Sequence, residues 1–207
     1  MFFVIEGIDG AGCGAQRKNL EKLANISGKE IVTMKYPYYD NALGEVLRKF
    51  LKEGKDLSVE MQFLLFAGQM ISEKEKIAKL RKEKIIVCDR YFAGTLVYQG
   101  LKGFDWQKGL RFANDFHLEI PDTIFYLDTP VDVARERKQQ EEGKKILDRH
   151  EADFEFTKKV DQKYRELIKK KVFAKWIMID NTKTIDEVTE NIVNITNKLI
   201  EGGRNTK

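Results

Sequence analysis

Short apolar runs rich in β-branched and aromatic residues alternate along the chain with longer segments in which apolar positions recur every three or four residues. The runs Phe2–Ile5, Ile31–Met34, Ile85–Cys88, Thr123–Leu127 and Trp176–Ile179 predict strands, each too apolar to leave one face in water. Between them, Leu43, Val46, Leu47, Phe50 and Leu51 have the spacing of an amphipathic helix that stops before Gly54. Further helices are predicted at about Gln16–Asn25, Ser58–Leu80, Trp106–Phe116, Val131–Gln140, Asp153–Lys170 and Ile185–Ile200. Thr129 before Pro130 offers a capping hydroxyl at one helix start, and Thr184 with Glu187 forms a capping box at another.

Buried strands alternating with helices predict an α/β fold: a doubly wound parallel five-stranded sheet with helices on both faces, its ligands at the carboxyl ends of the strands. The 207 residues suit a single domain over 1–207, with a frayed tail after 201. Hydrophobic residues make up 42% of the chain, which excludes wholesale disorder. A net charge of +4 is too weak for a dedicated nucleic-acid binder but suits small anionic substrates. No apolar run reaches the roughly 18 residues of a membrane span, and the first residues lack the pattern of a secretory signal. Cys13 and Cys88 are too few for a disulfide scaffold and lack metal-ligand spacing with His117 and His150, so a reduced, cytoplasmic setting is the expectation.

The first strand runs into Gly7-Ile-Asp-Gly-Ala-Gly12 and then a predicted helix. Glycines at 7, 10 and 12 let successive backbone N–H groups converge on an anion, and the helix N-terminus adds its partial positive charge. The spacing is GxxxxG, the front half of the P-loop motif. Its Lys and Ser/Thr are replaced by Cys13 and Gly14. A thiol at a helix N-terminus beside amide donors is expected to have a lowered pKa, although a small residue merely filling the lysine's space is the simpler account of Cys13.

Taken with FFVIEGIDGAG, KYPYYD at 35–40, FLLFAG at 63–68, Asp89-Arg90-Tyr91, Tyr98-Gln99-Gly100, Pro121-Asp122, Tyr126-Leu127-Asp128, LDRHE at 147–151 and Ile179-Asp180, the chain resembles the thymidylate kinases over nearly its whole length. The resemblance implies a P-loop nucleoside monophosphate kinase that moves the γ-phosphoryl group of Mg·ATP to dTMP, giving dTDP, and a homodimer packed through helices. It places Gly7, Asp9, Gly10, Ala11, Gly12, Cys13, Gly14 and Ala15 around ATP, with Asp89 ordering Mg²⁺. It implies that Arg90 grips the acceptor phosphate, with Asp9 near the acceptor sugar and phosphate. Phe66 is expected to stack on thymine, although its spacing with Phe63 and Met70 fits a core residue equally well. Tyr98 is implied beneath the deoxyribose, Thr95 and Gln99 along the base, and Pro37 at the pocket floor, where a plain extended X-Pro step is the simpler reading. The charged segment from Arg135 to Arg149 aligns with a lid over ATP. Arg135, Arg137, Lys144, Lys145 and Arg149 are its candidate cations, and Arg149 joins Asp9 and Arg90 as the catalytic candidates.

Three departures from the family pattern stand out: Cys13-Gly14, Met70 in place of an arginine on the base, and Tyr38 in place of a basic or polar residue near the acceptor phosphate. A well-placed cation in phosphoryl transfer is worth about 10³ to 10⁵ in rate, so the lost lysine needs a substitute. Two other readings follow from these departures: a nucleotide-binding homologue with weak or no turnover, and a kinase for another nucleoside monophosphate.

Overall fold

The computed structural model describes residues 1–54, 56–142 and 154–204. Among these residues, six strands form one sheet: β1 (Phe2–Glu6), β2 (Asn25–Ile26), β3 (Lys29–Lys35), β4 (Ile85–Asp89), β5 (Thr123–Asp128) and β6 (Trp176–Asp180), in the order β2-β3-β4-β1-β5-β6. The five expected strands are all present and mutually parallel. The sixth, β2, is a two-residue antiparallel addition to β3, too short to leave a hydrophobic pattern in the sequence. β1, β4 and β5 are buried along almost their full length. β3 and β6 are not, and Met178 on the edge strand β6 is exposed, so the expectation that every strand lacks a wet face fails toward the sheet margins.

Among the described residues, eight helices connect and cover the strands: α1 (Cys13–Lys22), α2 (Ala42–Glu53), α3 (Val59–Glu83), α4 (Phe92–Leu101), α5 (Trp106–Asp115), α6 (Val131–Glu142), α7 (Phe154–Lys169) and α8 (Ile185–Arg204). α1 and α8 pack together on one side, while α3 and α7 each pack against α4 on the other. α2 ends at Gly54, whose φ of 70° is the left-handed conformation expected of a glycine cap. The capping box at α8 forms, with Thr184 N–H donating to Glu187 Oε2 at 3.0 Å and Glu187 N–H to Thr184 Oγ1 at 3.4 Å.

Three expectations change. The Thr129 hydroxyl does not cap α6: it donates to Leu127 O at 3.2 Å and accepts from Asn181 Nδ2 at 2.7 Å, being held inside the sheet's carboxyl edge. α8 runs through Arg204, beyond Ile200 where the predicted helix ends. α4 lies outside the predicted helices, because seven of its ten residues are buried and it has no polar face to set a period.

β1 is followed by α1 on one side of the sheet, and its neighbour β4 by α4 on the other. The carboxyl ends of β1 and β4 therefore flank a topological switch point, where an open α/β sheet forms a crevice.

Candidate functional site

The loop after β1 has the cradle geometry. Gly10 and Gly12 have φ of 85° and 83°, and a turn closes from Ala11 N–H to Ile8 O at 3.1 Å. Gly12 caps α1 without a side-chain hydrogen bond and the first turn carries no acidic residue. The first helical bond runs from Gln16 N–H to Gly12 O, so the amides of Cys13, Gly14 and Ala15 precede the ladder and can serve an anion. A Cβ on Gly10 would overlap the Ala134 carbonyl, so this glycine lets the loop seat against the first turn of α6. Asn181 fixes the other side, donating to Ala11 O at 2.8 Å.

Cys13 contradicts its expectation. It is only 4% exposed, with Sγ 3.4 Å from where a Cβ of Gly7 would stand, and burial pushes its thiol up to about 12, with Arg90 opposing. Desolvation of the thiolate outweighs the helix N-terminus, and the thiol stays neutral. At position 14, a Cβ would lie 3.2 Å from Asp89 Oδ2, so the carboxylate faces the place where the motif's hydroxyl would be. Asp89 is buried at the end of β4, and that burial raises its pKa against the pull of Arg90, Lys35 and Arg17. No group of three or more metal-ligating side chains occurs among the described residues. One carboxylate oxygen beside a phosphate cradle nevertheless fits Mg²⁺, which takes one or two carboxylates, substrate phosphates and water.

Arg90, in the left-handed region at φ 68°, turns its guanidinium back under the cradle. It donates to Gly7 O, to Ile8 O at 3.4 Å, to Tyr164 Oη at 3.2 Å and to Asp9 Oδ1 at 2.9 Å. Tyr98 Oη donates to Asp9 Oδ2 at 3.0 Å. Beneath these groups lies Glu6, fully buried, its Oε2 3.8 Å from Arg90 Nη1. Glu6 accepts from the backbone of Tyr91 at 3.0 Å and Gly94 at 3.2 Å, and from Tyr164 Oη at 2.8 Å. It therefore anchors the start of α4, Arg90 and α7 at once. Burial pushes its carboxyl above the ordinary range, against Arg90 and its hydrogen-bond donors. Its role was missed, although a carboxylate ending a wholly apolar strand was a signal available in the sequence. Tyr164 gave none, because its helical position looks like core.

A cavity of ≈ 140 Å³ opens beside Arg90, and Asp9, Pro37, Phe66, Arg90, Thr95, Tyr98 and Gln99 all line it, as does Met70. Phe63 packs in the core, stacked on Phe104 at 4.2 Å, while Phe66 lines the cavity. The Tyr36–Pro37 peptide is cis rather than the plain extended step. Of the candidate lid cations, Arg135 is exposed with its guanidinium 5.1 Å from the Phe154 ring, and Arg137 donates to Asn181 O at 3.0 Å. Lys144, Lys145 and Arg149 lie outside the described residues.

Residues 5–192, spanning both the cradle and the cavity, match the family model described as thymidylate kinase. The chain belongs to the thymidylate kinase family. It is 32% identical over 213 residues to a probable thymidylate kinase of Thermococcus gammatolerans, covering 98% of this chain and 99% of that protein. It is 30% identical over 207 residues to a thymidylate kinase of Thermosipho africanus, covering 97% and 100%. A probable thymidylate kinase of Methanococcus aeolicus is 32% identical over 196 residues, covering 93% of each chain. Both the phosphate loop and the cavity thus lie within a thymidylate kinase match that spans nearly the full length of the chain.

Proposed function

We propose that this chain transfers the γ-phosphoryl group of ATP to dTMP, giving dTDP, with the acceptor in the cavity beside Arg90 and the ATP phosphates on the amides of residues 10–15. The observation that carries this reading is the placement of Arg90. The guanidinium that lines the acceptor cavity also donates to the carbonyls of Gly7 and Ile8, so one cation joins the acceptor site to the phosphate loop. Arg90 holds Asp9 in the resting site, and an acceptor phosphate takes that carboxylate's place as a bidentate partner. Asp9, released, orients the acceptor sugar with Tyr98. Phe66 stacks on the base, Thr95 and Gln99 meet its edge, and Pro37 forms the floor.

Asp89 would hold Mg²⁺, which when bound neutralises charge on the phosphoryl oxygens. Phosphoryl transfer requires chiefly positioning and charge, so lid cations can replace the absent lysine. Arg149 and Arg135 are assigned that task, with Arg137 bracing the loop through Asn181. We also propose a cytoplasmic homodimer that binds only these small nucleotides. No described helix is long and apolar enough to cross a membrane.

Coupled ADP release with mass detection of dTDP tests the reading. Turnover on dTMP is expected, and Arg90→Ala is expected to lower kcat/KM by about 10³-fold or more. The replacement of the P-loop lysine by Cys13 favours a second reading, a nucleotide-binding protein without turnover. ATP binding with no diphosphate formed from any monophosphate would decide for it.

A further inference from the structure

The Gln99 side chain is held one way round by residues outside the cavity. Lys102 Nζ, which can only donate, lies 2.7 Å from Gln62 Oε1, and Gln62 Nε2 donates to the Leu57 carbonyl, which can only accept, at 2.8 Å. A donor on one side and an acceptor on the other leave the Gln62 amide a single orientation. Its oxygen receives Gln99 Nε2 at 3.3 Å, so the Gln99 nitrogen points back and its oxygen is the free end. Gln99 lines the cavity, is 1% exposed, and its Oε1 has no hydrogen-bond partner. A buried acceptor without a donor is unfavourable, and a ligand N–H in the cavity relieves it. Thr95 brings a hydroxyl to the same cavity wall, which can donate or accept and so does not by itself choose between bases, and Met70 offers neither donor nor charge.

Resting on the kinase reading above, we propose that Gln62 and Lys102 are positioning residues that set acceptor specificity. They lock Gln99 as a hydrogen-bond acceptor, so the site selects a pyrimidine whose ring nitrogen carries hydrogen, the imide of thymine or uracil, over cytosine, whose N3 only accepts. Without the relay, the Gln99 amide turns over at little cost and presents its NH₂ to cytosine equally well. With it, turning places Gln99 Oε1 against Gln62 Oε1. Lys102 is itself held, its ammonium 5.2 Å from the Phe50 ring centroid.

The test is the ratio of kcat/KM for dTMP to that for dCMP, with N3-methyl-dTMP as a third acceptor. The wild-type chain is expected to favour dTMP over both by about 10²-fold or more, since a site built to bond a substrate N–H rejects analogues lacking it. Gln62→Met is expected to lower the dTMP to dCMP ratio by about tenfold, mainly through KM. Gln62→Glu gives up the bond to the Leu57 carbonyl but, being acceptor-only, still presents an oxygen to Gln99 Nε2 and to Lys102, and is expected to return the ratio to within about threefold of wild type. A purely structural role lowers both acceptors in parallel. An unchanged ratio in Gln62→Met, with the wild type active on dTMP, overturns this inference alone, whereas a wild type inactive on every monophosphate overturns the kinase reading and this inference with it.

Discussion

Cys13 shows how far a residue's chemistry depends on which way it faces. The sequence places a thiol at the start of α1 beside backbone donors, and sequence alone implies a reactive thiolate. Its Sγ instead packs toward Gly7, where desolvation raises its pKa to about 12. At pH 8 the thiolate fraction is then of order 10⁻⁴. Native protein is expected to leave Cys13 unlabelled by iodoacetamide with or without ATP, and denatured protein to label it fully, as read by peptide mass. Rapid native labelling at pH 8 would refute the buried placement. Asp9, Arg90 and Tyr98 were legible because their motif fixed both identity and order, and the structure joins all three by hydrogen bonds. Glu6 was not legible as their support, since its partners Tyr91, Gly94 and Tyr164 are 85 to 158 positions away.

At the level of elements, Glu6 is a cap supplied from another strand. α4 starts at Phe92 after Tyr91, whose own side chain does not cap it, and the orphan amides of Tyr91 and Gly94 are taken by the Glu6 carboxylate. Glu6→Ala leaves two amides, the Tyr164 hydroxyl and the Arg90 charge without that partner. Breaking a buried pair from one side costs about 3–5 kcal/mol, so a loss of that size in urea unfolding is expected. Glu6→Gln, which keeps one oxygen for the amides, is expected to lose less. Equal small losses below about 1 kcal/mol would show that the carboxylate is not the anchor. The same tertiary dependence explains why α4 escaped periodicity analysis while α2 did not. α2 shows water one face and carries its own caps in Asn41 and Gly54, whereas α4 is enclosed and borrows its cap from β1. Strand cores were legible from apolar runs, but the two-residue β2 exists only by pairing with β3.

Across the whole molecule, the site uses the carboxyl edge between β1 and β4, which leaves the outer surface of α2 and α3 for another purpose. Val46 on α2 is 37% exposed, and Met61 and Leu64 on α3 are 45% and 49% exposed, although the two helices pack side by side. Met61 and Leu64 are one turn apart and so share a face. Two large exposed apolar side chains on one face of α3 are a candidate interaction surface. A second copy of the chain is its proposed occupant, placing α3 against α3 across a twofold axis, where each patch meets its own image. A specific interface of this kind buries about 800 Å² per partner, and a charge at its centre has no counter-charge to meet. Leu64→Glu is therefore expected to convert a wild-type dimer to a monomer in sedimentation velocity at about 10 μM, near the range where a single unpaired buried charge outweighs a moderate association. Phe66 and Met70 lie on the same helix but line the cavity, so loss of the dimer is expected to raise KM for dTMP by loosening α3 while leaving ATP affinity unchanged. A wild type that sediments as a monomer, or a Leu64→Glu variant that remains dimeric, would reassign that surface.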